Sequence, residues 1–115
     1  MKKAISLFCL LSLLFGCGKH EENISKEEQL NKIISENNYL VVDVRTKEEY
    51  NEGHVIDAIL LPYDEIDEPD LDISKTILVY CRSGRRSAIA ANKLRELGYE
   101  VFDMGAYESV PFEKE

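Results

Sequence analysis

The sequence has no tryptophan, only three cysteines in 115 residues, and no apolar run long enough to span a bilayer as a helix. Its longest apolar stretch, residues 4–15, falls short of the roughly 20 residues a spanning helix needs. Positive charge is also scarce: 14 Lys and Arg stand against 22 Asp and Glu, a formal net charge of -8. Such a field repels nucleic acid and anionic membrane surfaces, so neither is expected as a partner. Repeats and low-complexity tracts are absent from the sequence, which excludes solenoid architectures.

What is present at the start reads as a targeting signal. Lys2 and Lys3 precede the apolar run, and Gly16 precedes Cys17, the order of charge, greasy core and small residue found in cleaved export signals. Leu14-Phe15-Gly16-Cys17 resembles the bacterial lipobox, with Phe15 a departure where a smaller residue is usual. The resemblance implies a signal peptide over residues 1–16, lipidation of Cys17 and a polar tether over 17–22. The protein is then expected at the cell envelope, on the periplasmic face or the cell surface, held to the membrane by the lipid. Losing 16 of 115 residues leaves 99, enough for one small domain with a single core over residues 23–115. Removing Lys2 and Lys3 from the balance leaves 12 basic residues against 22 acidic ones. A monomer is the default.

Cysteine usage narrows the field further. Cys9 lies in the signal and Cys17 at its end, so Cys81 is the one thiol of the domain. An exported domain with a single cysteine has no internal disulfide framework, and its thiol calls for a reason.

Apolar patterning predicts an α/β domain. Ser25-Lys26-Glu27-Glu28 and Thr46-Lys47-Glu48-Glu49 have capping-box form, opening a helix from Lys26 to about Asn37 and a short one that Gly53 ends. Residues 39–44, 58–62, 76–80 and 99–104 read as strands, with a fifth short one conceivable at Asn23-Ile24. The acidic stretch from Tyr63 to Ser74 reads as a surface connection with one helical turn. From Ser87, the residues Ile89, Ala90, Leu94 and Leu97 fall on one helical face, and Gly98 closes that helix. The alternation implies a small, mostly parallel sheet of four to five strands with helices on both faces, and a ligand site beyond the carboxyl ends of the strands.

One such strand delivers the chain to Cys81-Arg82-Ser83-Gly84-Arg85-Arg86-Ser87. Unpaired NH groups at a helix start can cradle an anion. Gly84 admits backbone geometry closed to other residues, and three arginines bring positive charge to an acidic domain. Together these stabilise negative charge on the Cys81 sulfur, the form in which a thiol is a nucleophile. Guanidinium groups also suit an oxyanion. The plainer alternative is an inert buried cysteine beside exposed arginines.

The loop, Cys-Arg-Ser-Gly-Arg-Arg-Ser after an apolar strand, resembles the active-site loop of rhodanese-family sulfurtransferases. Asp43-Val44-Arg45, Glu49-Tyr50, Gly53-His54-Val55, Ala58-Ile59 and Pro62 resemble the family's second signature. The resemblance implies that Cys81 takes sulfane sulfur from a donor such as thiosulfate and holds it as a persulfide. A thiol or cyanide-like acceptor would then remove it, with a thioredoxin-like protein as a further partner. It implies that main-chain NH groups from Arg82 to Ser87, including those of Ser83, Gly84 and Arg85, stabilise the sulfur. Arg82, Arg85 and Arg86 would bind the donor's oxyanion, and no metal or organic cofactor is needed. Asp43, Arg45 and His54 are read as bracing the fold rather than as a catalytic base.

Related phosphatases and arsenate reductases use Cys-x5-Arg. Here that position holds Ser87, and the arginine falls one place earlier at Arg86, which disfavours their chemistry. Two further alternatives are a non-catalytic persulfide-binding or protein-interaction module, and a redox sensor with an exposed thiol. Family members often carry a tryptophan after the last strand. In this chain Tyr107 and Phe112 are the candidates to replace its packing.

Overall fold

A computed structural model describes residues 24–115, so the expected signal peptide, Cys17 and the expected tether lie outside the described residues. The chain divides after Lys32 into two compact units. Among the described residues the first holds the opening of helix α1 (Lys26–Glu36), where the Glu28 N–H donates to Ser25 Oγ at 3.1 Å and Ser25 N–H to Glu28 Oε1 at 3.3 Å. The expected capping box is therefore formed. Ile24 lies outside any strand and is exposed, so the conceivable leading strand is absent at that residue.

The second unit, Ile33–Glu115, carries the sheet. Its strands are β1 (Tyr39–Asp43), β2 (Ile59–Leu60), β3 (Thr76–Cys81) and β4 (Glu100–Ala106), in the order β2-β1-β3-β4 and parallel at each pairing. The four-strand α/β architecture matches the sequence reading. Because parallel strands are covered on both faces, β3 is buried from Ile77 onward. Period-two alternation then assigns its residues. Ile77, Val79 and Cys81 join Val42 and Val44 in the main cluster with Ala90, Ala91 and Leu94 of helix α3 (Arg85–Glu96). Leu78 and Tyr80 point the opposite way.

Strand β2 is confined to Ile59–Leu60 where the sequence reading has 58–62, and two further boundaries differ, each for a physical reason. Helix α3 begins at Arg85 rather than Ser87, because Gly84, at φ 104°, supplies the turn into the helix. Its buried stripe is Ser87, Ala90, Ala91 and Leu94, whereas Ile89 and Leu97 are exposed. Ala90 and Leu94 are buried as the apolar spacing predicts, while a buried serine and Ala91 carry the rest of the face. Strand β4 runs on to Ala106 through a bulge: Val79 pairs with Asp103 and Tyr80 with Gly105, leaving Met104 extra. Gly105 adopts φ 85° there, and its N–H donates to Asp103 Oδ1 at 2.9 Å.

The short helix α2 (Lys47–Glu52) starts at a complete capping box on Thr46. Downstream, residues 113–115 pair antiparallel with 54–56, through His54 N–H to Glu115 O at 3.1 Å, Ile56 N–H to Glu113 O at 2.9 Å and Glu115 N–H to His54 O at 2.8 Å. Chain order reverses between β1 and β3: the connection from β1 leads outward to β2, and β3 returns on the other side. Crevices form beyond the carboxyl ends of strands at such a switch point, where Cys81 ends β3 and the turn into α2 follows β1.

Candidate active site

Cys81 is the last residue of β3 and has no exposed surface. The loop curls back so that the Gly84 N–H donates to Cys81 Sγ at 2.9 Å. A Cβ on Gly84 would stand 3.9 Å from Gly105 Cα; its positive φ, rather than crowding, is what calls for glycine. Ser87 is fully buried and donates its hydroxyl to Gly84 O at 3.1 Å. Its hydroxyl is therefore committed to the backbone of the loop. The redox-sensor alternative expects an exposed thiol, whereas Cys81 is buried, and the same burial means that any reagent, a sulfur donor included, must reach the sulfur through the loop.

The three arginines of the loop have different surroundings. Arg86 makes a two-pronged ion pair with Glu49, at 2.8 Å to Oε1 and 3.0 Å to Oε2. Arg82 is largely exposed and reaches Glu49 Oε2 only at 3.7 Å. Arg85 is exposed, and among the described residues no carboxylate pairs with it. Glu49 also accepts from Thr46 N–H at 3.0 Å, so one carboxylate caps α2 and grips the Cys81 loop. Hydrogen bonds from Arg86, aided by those from Thr46, outweigh burial and hold the Glu49 carboxyl at about 2. The same bonds raise Arg86 above its ordinary value.

Beneath this pair lies a buried brace. Arg45 donates from Nε to Asp43 Oδ1 at 2.9 Å, from Nη2 to Asp43 Oδ2 at 2.6 Å and from Nη2 to Gly53 O at 2.7 Å. The Tyr80 hydroxyl donates to Asp43 Oδ2 at 2.7 Å and accepts from Val55 N–H at 3.1 Å. Burial pulls the Arg45 guanidinium down, but its hydrogen bond to Asp43 and that residue's charge prevail and raise it. Burial, reinforced by Asp43, pushes the Tyr80 phenol up. Arg45 also lies 4.3 Å from the ring centre of Tyr107, which stacks on Tyr80 at 5.6 Å, and Phe112 packs on Tyr39 at 5.7 Å. Tyr107 and Phe112 thus both take part in aromatic packing, Tyr107 beside the brace and Phe112 at the start of β1.

His54 stacks on Tyr50 at 3.7 Å, with its ring nitrogens 2.8 Å from Tyr50 O and 3.0 Å from Glu115 Oε2. Asp43, Arg45 and His54 are consequently all occupied in bracing, and Asp43 binds Arg45 and Tyr80 rather than His54. Among the described residues, no group of three or more His, Cys, Asp or Glu side chains is placed to hold a metal ion.

Shallow clefts flank the loop on two sides. One is lined by Glu49, Glu52, Arg82, Tyr107 and Glu108, with Arg45 and Gly53 behind them; the other is lined by Tyr63, Ser83, Arg85, Arg86 and Ile89. Glu49, Tyr80 and Tyr107 are the contributors that residue spacing did not single out as part of the site. For Glu49 the available signal was the Glu49-Tyr50 pair, read only as a helix cap and a family mark.

Comparison with known proteins identifies the family and the fold. The rhodanese-like domain family matches residues 26–109. The chain is 36% identical over 78 residues to the thiosulfate sulfurtransferase PspE of Escherichia coli, covering 64% of this chain and 75% of that protein. It is 31% identical over 90 residues to the adenylyltransferase and sulfurtransferase uba4 of Ogataea parapolymorpha, covering 73% of this chain but only 23% of that longer protein. A solved structure, a rhodanese with anions from E. coli, superposes with a TM-score of 0.63 at 34% identity, over 67% of this chain and 96% of that one.

The Glu49 grip has a definite pH signature. A carboxyl held at about 2 against an ordinary 4.5 stabilises the fold fully above its ordinary value, and loses that contribution as pH falls from there towards 2. Glu49→Gln is expected to cost about 2 kcal/mol in urea denaturation at neutral pH. The gap to wild type should then narrow in acid; a gap that does not change with pH would contradict the assignment.

Proposed function

The chain belongs to the rhodanese-like family, and on that premise we propose that it is a sulfurtransferase that carries sulfane sulfur on Cys81. The observation that carries the reading is the Gly84 N–H aimed at Cys81 Sγ from 2.9 Å, at the start of a helix whose dipole favours negative charge. An inert core cysteine has no need of a glycine turn that spends a main-chain donor on its sulfur. The name and 36% identity of the E. coli thiosulfate sulfurtransferase support thiosulfate as donor.

In the first half-reaction the Cys81 thiolate attacks the outer sulfur of thiosulfate. A bond forms between Sγ and that sulfur, the sulfur–sulfur bond of the donor breaks, and its electron pair leaves with sulfite. In the second, a thiophilic acceptor such as cyanide or a thiolate attacks the terminal sulfur. The persulfide bond breaks and its electron pair returns to Cys81. Both states of the enzyme carry one negative charge, on Sγ in the thiolate and on the outer sulfur, one bond further out, in the persulfide, so the loop's fixed donors serve the whole cycle by surrounding both positions. The sequence supports export and lipid attachment at Cys17, with the domain held at the cell envelope.

Incubating the domain with thiosulfate should raise its intact mass by one sulfur atom, and adding cyanide should remove that sulfur as thiocyanate. Cys81→Ser should lose both steps while melting within a few degrees of wild type. Absence of any persulfide adduct on the wild-type protein defeats the proposal, and leaves the non-catalytic module as the better description.

Membrane attachment is checked separately. The full chain expressed in bacteria should partition into detergent, and Cys17→Ala should move it to the aqueous phase. Equal partitioning of the two would reject lipidation at that residue.

A further inference from the structure

The bulge in β4 lies beside the sulfur, and the transfer chemistry makes no use of it. Up to Val79 and Asp103 the strands β3 and β4 run in step; beyond that pair Met104 is extra, so Tyr80 faces Gly105 and Cys81 faces Ala106. In an unbroken ladder Tyr80 would face Met104 and Cys81 would face Gly105. The extra residue therefore decides which stretch of backbone stands beside the nucleophile.

One side chain holds the bulge. Asp103 Oδ1 accepts the Gly105 N–H at 2.9 Å, a local turn that aspartate favours and that competes with a regular ladder. A Cβ on Gly105 would meet nothing within 4 Å among the described residues, so it is the backbone shape at φ 85°, and not a lack of room, that calls for glycine there. Gly105 in turn bounds the loop. A Cβ built on Gly84 would stand 3.9 Å from Gly105 Cα, with no other heavy atom of the described residues beyond its chain neighbours within 4 Å. Gly84 thus rests against the bulged strand, and its N–H is the donor that reaches Cys81 Sγ at 2.9 Å.

We infer that Asp103 is a positioning residue for sulfur transfer: by holding the bulge it sets Ala106 beside Cys81 and Gly105 against Gly84, and so fixes how the Gly84 donor meets the sulfur. The effect on transfer rests on the sulfur-carrier reading of Cys81, whereas the effect on the Gly84 donor does not. The bond to Gly105 needs only an acceptor oxygen, which an asparagine also supplies. Asp72 offers a matched comparison, because its Oδ1 accepts the Ser74 N–H at 3.0 Å across the same spacing, but ahead of the first residue of β3 and so at the far end of that strand from Cys81.

Loading of one equivalent of sulfur from thiosulfate onto the full chain, with every variant folded, reads the effect on transfer. Hydrogen exchange of the Gly84 amide, followed by NMR, reads the donor itself. Asp103→Ala should slow loading by about tenfold and speed Gly84 exchange by a similar factor, the scale of one lost charge-assisted hydrogen bond. Asp103→Asn should behave as wild type. Gly105→Ala strains the same turn while leaving Asp103 in place, so it should slow loading as well, and it serves where Asp103→Ala does not fold. Asp72→Ala should load at the wild-type rate. Unchanged loading in Asp103→Ala or in Gly105→Ala, no rescue by Asp103→Asn, or an equal slowing in Asp72→Ala would each overturn the assignment. If Gly84 exchange responds as expected but the wild-type protein never acquires sulfur, the positioning role stands and the sulfur-transfer reading falls, so the two failures are told apart.

Discussion

The Glu49 carboxylate is the point on which the arrangement turns. It closes the capping box of α2, and from that fixed position it takes both prongs of Arg86, 37 residues away in the chain. The turn after β1 is thereby tied to the turn after β3. A six-residue stretch from Cys81 to Arg86 has few internal restraints of its own: a glycine turn and one hydroxyl beneath it. An ion pair with little solvent access supplies the missing restraint, because breaking it would leave a charge with poor access to water. The loop can then present a donor to sulfur without paying to order itself at each turnover.

The brace below explains why that anchor does not drift. Asp43 and Arg45 are buried, and their charges are shared among Tyr80, Gly53 O and the Tyr107 ring. Each partner belongs to a different part of the chain, so the ends of β1 and β3 and the segment after β4 are fixed to one another. Tyr80 and Cys81 are neighbours on β3 that face opposite sides of the sheet. Through Tyr80 the brace sets the end of the strand, and therefore where the sulfur sits.

Much of this was legible in the residues. Continuous β-branched runs mark β1 and β3, the two capping boxes mark α1 and α2, and the loop after β3 singles out Cys81. The grip of Glu49 on Arg86 was not, because local spacing carries no information about partners so distant in sequence. On the face of α3, Ala90 and Leu94 are buried as the spacing predicts, but Ser87 and Ala91 take the places given to Ile89 and Leu97; Ser87 donates to the Gly84 carbonyl, and a reading built on apolar residues has no place for it. The sequence marks Tyr107 only as a substitute for a missing ring, while its contact with the Arg45 guanidinium joins residues far apart in the chain and carries no local signature.

The central claim is that a sulfur on Cys81 is held by a loop whose shape Glu49 maintains. The rate at which a single equivalent of sulfur is loaded from thiosulfate, compared between wild type and Glu49→Gln under conditions where both are fully folded, tests it most directly. The account predicts loading slower by about tenfold in the variant, with Glu49→Asp intermediate. Equal loading rates in the two proteins would contradict it.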